Sequence, residues 1–110
     1  LYKCAREAKL EIFADIDSID SAKNALDLGA NYLGTTMAGY TDARKTTLGP
    51  DFQLLAELVA TGAPVVLEGR IRDVADIKHG FDLGAYAVVV GRSVTSPRDI
   101  TSTLFAQVRS

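Results

Sequence analysis

Four short clusters of polar and glycine residues each follow an apolar run: Asp15, Thr35-Thr36, Glu68-Gly69-Arg70 and Gly91-Arg92-Ser93. Glu68 carries the sharpest chemistry. It follows the apolar run Pro64–Leu67, and a carboxylate in such surroundings is partly desolvated. Its pKa then rises towards the range where protons are shuttled near neutral pH. The competing assignment is an ion pair with Arg70, two residues on and on the same side of a strand. Asp15 either orients a hydroxyl of a sugar-like ligand or opens a turn with Asp17 and Ser18. Gly91-Arg92-Ser93 leads towards a helix, and loop N–H groups beside a helix N-terminus favour a phosphate.

The elements that must position these groups alternate along the chain. Leu1–Ala8 reads as the end of a helix, Glu11–Ile16 as a strand, and Ser18–Leu28 as a helix ending at Gly29. Asn31–Thr36 is a second strand. The segment Met37–Gly49 is longer than a usual strand–helix connection, which marks it as a lid or binding loop. Tyr40 and Thr41 are placed to line a pocket, and Arg44 and Lys45 either attract an anion or belong to a solvated loop. Pro50–Ala60 is helical by its apolar spacing, with Pro50 in the first turn. Pro64–Glu68 is a third strand, Val74–Leu83 a helix ending at Gly84, and Tyr86–Val90 a fourth strand. Ser96 then caps a last helix, with Pro97 at its first position and Asp99 answering the cap.

The runs Pro64–Leu67 and Ala87–Val90 are apolar on consecutive residues. That pattern predicts strands buried on both faces in a parallel sheet covered by helices. An internal repeat supports a barrel: Asp27-Leu28-Gly29-Ala30 recurs as Asp82-Leu83-Gly84-Ala85, with Lys23 matching Lys78 and Ile19 matching Val74. The fold class is therefore α/β, with four βα units. A closed TIM (βα)8 barrel needs roughly 200–250 residues, so the chain reads as about half of one. Four units alone leave two open sheet edges and one uncovered face. The expectation is a homodimer or pairing with the missing half-barrel; a small open α/β sandwich is the alternative.

Composition narrows the function classes. A chain of 110 residues with net charge −2 holds one domain and has no basic footprint, which argues against a nucleic-acid partner. A single Cys forms no internal disulfide, and His79 is the only histidine, so Cys/His metal spacings are absent. No apolar run approaches the ~18 residues of a membrane span. His79 is expected on a helix surface, Cys4 as a small buried hydrophobe, and Met37, Phe52, Phe81 and Phe105 as packing residues.

Taken together, Ala14-Asp15-Ile16, Gly34-Thr35-Thr36 with Gly39-Tyr40-Thr41, Gly49-Pro50-Asp51-Phe52, Glu68-Gly69-Arg70-Ile71 and Gly84-Ala85 through Gly91 resemble the N-acetylmannosamine-6-phosphate 2-epimerases, in that family's order and spacing. The resemblance covers nearly the whole chain. It implies the C-terminal half of a TIM barrel, from the end of the fourth helix through the eighth βα unit. It also implies a C2 epimerase of N-acetylmannosamine 6-phosphate and N-acetylglucosamine 6-phosphate that needs no metal or other cofactor. Glu68 would then be catalytic, Asp15, Thr35, Tyr40 and Arg70 would bind the sugar, and Gly69, Gly91, Arg92 and Ser93 the phosphate. The implied context is cytoplasmic amino-sugar and sialic-acid catabolism. Two features depart from the family pattern. Its catalytic lysine belongs to the N-terminal half, outside these residues, and is not matched by Lys45, which implies little activity for the chain alone. Arg92 and Ser96 stand where the family usually has Gly and Arg.

Overall fold

In parallel sheets each connection must cross over a face, so strands and helices alternate. The computed structural model, which describes residues 1–110, follows that rule. In chain order it has α1 (Tyr2–Glu7), β1 (Phe13–Asp15), α2 (Ile19–Asp27), β2 (Tyr32–Gly34), a 3-10 turn (Thr35–Met37), α3 (Phe52–Val59), β3 (Val65–Glu68), α4 (Val74–Asp82), β4 (Ala87–Val89), α5 (Arg92–Thr95) and α6 (Pro97–Arg109). The sheet is parallel throughout, in the order β1-β2-β3-β4.

Register and the two-residue strand period divide the sheet into unlike faces. Ala14, Leu33 and Val65 align across three strands, and Leu67 aligns with Val88. These residues face the helices and pack with Ala22 and Ala25 of α2 and Leu54, Leu55 and Leu58 of α3. The opposite face carries Phe13, Asp15, Gly34, Val66, Glu68, Ala87 and Val89. No helix covers it, and Phe13 and Val89 remain 45% and 42% exposed. The expectation of burial on both faces therefore holds for Val65–Leu67 and fails for β4. That strand is an edge with no buried residue, because nothing pairs its outer side.

Phe13 compensates partly. Its ring lies across Gly34, so closely that a Cβ at Gly34 would collide with Phe13 Cζ. The chain uses Gly there to let the ring reach across the sheet.

The internal repeat is structural. Helices α2 and α4 and strands β2 and β4 have matching bounds at the same offset, and Gly29 and Gly84 both end a helix at φ +99°. Such a φ is open to Gly and strained for other residues.

Local grammar explains most boundaries. Ser18 and Ser21 form a reciprocal cap on α2, Asp73 accepts from the Asp76 N–H at the start of α4, and Ser96 accepts from Asp99 ahead of Pro97. Helix α3 is capped by Asp51, whose carboxylate accepts from the Leu54 N–H. Pro50 therefore precedes the cap and is not in the first turn. Other expectations also shift. The four-residue α5 intervenes before α6, and Cys4 is exposed. Phe81, Phe105 and Met37 lie at the surface, since α6 buries no residue and the sheet covers only one side of α4. Phe52 packs on the core, with its ring edge-on to His79, which is itself exposed. No helix is long and apolar enough to cross a membrane.

Replacing Gly34 with Ala should destabilise the chain by about 1–3 kcal/mol through overpacking against Phe13. Adding Phe13→Leu should recover much of that loss. Urea denaturation of the two single variants and the double variant measures the coupling; additive losses would contradict the contact.

Candidate functional site

Strand β3 ends in a sharp redirection. Gly69 and Arg70 have φ of +98° and +57°, and the left-handed conformation costs a non-glycine residue about 1–2 kcal/mol. The turn opens a cleft of about 490 Å³ at the C-terminal ends of β3 and β4. Its walls bring together Tyr40, Glu68, Gly69, Arg70, Gly91, Arg92 and Ser93, with Leu48, Ile71, Arg72, Val89 and Asp99 completing them.

The carboxylate of Glu68 is half-buried and accepts a hydrogen bond from Thr36 Oγ1 at 3.2 Å. Thr35 acts from beneath. It is buried, donating to the Glu68 carbonyl at 2.8 Å and accepting from the Glu68 N–H at 3.0 Å. With its hydroxyl engaged on both sides, Thr35 positions Glu68 and does not face the cleft. The hydroxyl beside the carboxylate belongs to Thr36, which the sequence reading placed in the strand-end cluster without giving it a binding role. Both threonines lie in the 3-10 turn that follows β2, where successive side chains point in different directions, so one reaches the backbone of Glu68 and the other its carboxylate.

Arg70 does not pair with Glu68. Its Nε donates to the Gly49 carbonyl at 3.0 Å and its Nη2 to the Ala38 carbonyl at 2.8 Å. The guanidinium also lies 5.3 Å from the centroid of the Tyr40 ring.

The loop 38–49 is therefore tied down. Thr41 donates to Asp17 at 2.8 Å, and hydroxyl groups of Ser21 and Thr41 hold the Asp17 carboxyl below its ordinary pKa. Arg44 is committed to Asp51 at 2.8 Å and Glu57 at 3.2 Å, so it is not free to attract an anion. Lys45 remains exposed.

At the end of β4, Arg92 pairs with Asp99 at 2.8 Å, and Ser93 Oγ donates to the Ile71 carbonyl. Of this cluster, the N–H groups opening the first turn of α5 keep unused donors, since helix starts leave them without intrahelical partners. Three guanidinium groups line the cleft: Arg72 is held by Asp76 at 2.9 Å and Arg92 by Asp99 at 2.8 Å, which leaves Arg70 without a carboxylate partner.

Asp15 stands apart. It is exposed on the open face at the end of β1 and lines a different, mostly apolar cavity beside α1. The four strand ends thus do not converge on one pocket within this chain. No group of three or more His, Cys, Asp or Glu side chains forms a metal-binding cluster.

Parallel βα units with an arginine-lined cleft at the strands' C-terminal ends are the architecture of a barrel-type α/β protein. More specifically, the chain belongs to the N-acetylmannosamine-6-phosphate epimerase family: residues 1–110 match the family described as "Putative N-acetylmannosamine-6-phosphate epimerase". A relative from Cutibacterium acnes, described as "Putative N-acetylmannosamine-6-phosphate 2-epimerase", is 41% identical over 99 residues, covering 87% of this chain and 43% of the relative. One from Clostridioides difficile with the same description is 39% identical over 102 residues, covering 92% and 46%. The solved N-acetylmannosamine-6-phosphate 2-epimerase from Clostridium perfringens aligns with a TM-score of 0.88 at 37% identity, over 96% of this chain and 46% of that one. The chain thus spans slightly less than half the length of these relatives. Its four βα units have the architecture of about half a TIM barrel.

Two outcomes follow from this geometry. Thr35→Val should leave the Glu68 N–H and C=O without their side-chain partner and cost about 1–3 kcal/mol, whereas Thr35→Ser should retain most of the stability; chemical denaturation compares them. Burial pushes the Asp51 carboxyl up, but Arg44 and the Leu54 N–H outweigh it and hold the pKa below the ordinary value. A depressed folded-state pKa contributes stability above the unfolded value of ~3.9 that is lost as pH falls through the folded value. Stability followed by denaturation should therefore fall below about pH 4, with a shallower fall in Asp51→Asn.

Proposed function

We propose that this chain forms the C-terminal half of an epimerase site that interconverts N-acetylmannosamine 6-phosphate and N-acetylglucosamine 6-phosphate. The observation that carries the reading is a half-buried carboxylate, Glu68, held by Thr35 and Thr36 at the rim of a guanidinium-rich cleft, in a chain of the epimerase family. On this reading the chain runs from the end of the barrel's fourth helix through its eighth βα unit.

The chemistry needs little beyond proton transfer. Ring opening places an aldehyde beside C2 and acidifies the C2 proton. A base removes that proton, the charge moves onto the carbonyl oxygen, and a proton returns to C2 from the opposite face. No electrons leave the substrate, so the reaction calls for no electron-accepting cofactor. Glu68 assists acid–base transfer at the sugar oxygens. Tyr40 borders the sugar, while Thr35 and Arg70 act by positioning. Gly69, Gly91, Arg92 and Ser93 receive the phosphate, largely through backbone N–H groups, with Arg92 released from Asp99 to take part.

The cleft contains no lysine: Lys3, Lys9, Lys23, Lys45 and Lys78 all lie elsewhere. A second proton-transferring group then comes from outside these residues, and residues 1–110 alone turn over little substrate. The same missing half covers the open sheet face and brings Asp15 into the barrel interior, where it contacts the sugar. The enzyme on this reading serves amino-sugar and sialic-acid catabolism in the cytoplasm.

Proton NMR of N-acetylmannosamine 6-phosphate in D2O tests the assignment. The C2–H signal should vanish and the gluco epimer appear when this chain is joined to the N-terminal half of the Clostridium perfringens enzyme. Glu68→Gln should slow that exchange by roughly 10²–10⁴-fold. A persistent C2–H signal in a hybrid shown by light scattering and circular dichroism to be folded would sink the reading.

A further inference from the structure

We propose that Arg70 is a positioning residue: it clasps both ends of the loop 38–49 and thereby holds the loop's cleft-lining side chains over Glu68. The inference rests on the reading of this cleft as the sugar-phosphate site, but its primary test does not.

The contacts are those of a clasp. One guanidinium reaches the carbonyl of Ala38 at 2.8 Å, where the loop begins, and that of Gly49 at 3.0 Å, where it ends. It also lies 3.4 Å from Thr47 Oγ1 and 5.3 Å from the Tyr40 ring centroid. Only a planar fork spans two carbonyls and an aromatic face at once; a lysine ammonium on a flexible stem does not. The backbone at Arg70 is left-handed, so a residue type that avoids this conformation is kept where Gly would relax it. Strain of that kind persists where the surroundings over-determine it. Here the side chain's contacts supply the surroundings.

The loop has little else to hold it near the cleft. Thr41 is anchored to Asp17 and Arg44 to Asp51 and Glu57, none of which lines the cleft. Within the loop, Thr46 bonds the Gly39 carbonyl and Thr47 the Gly49 carbonyl, which shape the loop without fastening it to the sheet. Tyr40 and Leu48 are its contributions to the cleft wall, and both side chains are largely exposed. Their placement over Glu68 depends on the clasp.

Hydrogen exchange followed by mass spectrometry on the full chain reads the clasp directly. In Arg70→Ala and Arg70→Gly, amides within 38–49 should exchange at least ~10-fold faster, while those of β2 and β3 keep their protection. Arg70→Gly is decisive because it removes the backbone strain together with the side chain: loosening there identifies the guanidinium as the cause. Arg70→Lys should rescue only partly, and millimolar guanidinium should slow loop exchange in Arg70→Ala. Unchanged loop exchange in both variants overturns the proposal, and so does loss of protection spread evenly over the sheet. In the hybrid enzyme, KM for N-acetylmannosamine 6-phosphate should rise more than kcat falls. A fast-exchanging loop with KM unmoved would refute the coupling to ligand, while an inactive wild-type hybrid with an Arg70-dependent loop would count against the epimerase reading alone.

Discussion

The buried hydroxyl of Thr35 joins the two halves of this structure's logic. Donating to one backbone group of Glu68 and accepting from another, it extends the β2–β3 pairing by one side chain beyond the point where the backbone of β2 turns away. Below that bond, β3 is an ordinary core strand whose Val65 and Leu67 pack on leucines of α3. Above it, the chain is free to turn through Gly69 and Arg70. A threonine fits here because the site is dry and two unpaired polar backbone groups would be costly. A serine makes the same bonds but lacks the methyl that helps fill the space.

A second constraint is that a parallel sheet has two faces and this chain's helices cover one. The covered face obeys the expected packing, with leucine and valine opposite the small Ala22 and Ala25. The open face carries a mixture that suits neither core nor solvent: Phe13 and Val89 beside Asp15 and Glu68. A barrel interior has this character, with apolar side chains filling its layers and polar groups gathered at the rim. The close seat of Phe13 on Gly34 fills part of that face from within the chain.

Much of this was legible in the sequence because it depends on local grammar. The helix cap at Ser96, the glycines at helix ends and the repeat spacing each follow from short-range stereochemistry. The positions of all four strands do too. What could not be read is where long side chains go. Arg70 was plausible as the partner of Glu68 by spacing alone, yet the left-handed turn rotates it towards carbonyls 21 and 32 residues away in sequence. Arg44 looked like a free cation, but Asp51 and Glu57 lie within its reach once α3 is in place. The burial of β4 failed for a related reason. A run of valines reports hydrophobicity, whereas burial depends on a neighbouring strand.

The committed and uncommitted hydrogen-bonding groups then sort themselves by role. Thr35, Thr41, Arg44 and Ser93 have polar atoms engaged within the chain, which fixes the direction in which each side chain points. Uncommitted capacity is found at the second oxygen of Glu68, the first-turn N–H groups of α5 and one Arg70 nitrogen, Nη1, which is buried and has no acceptor. Arg92 lies between these classes, because its partner Asp99 is partly exposed and the pair is open to solvent. Exposed ion pairs contribute little, so the Arg92 guanidinium can leave Asp99 with small loss while the rest of the cleft stays in place. The cleft therefore combines a fixed floor, built from bonds too costly to exchange, with one cation that can be recruited at low cost.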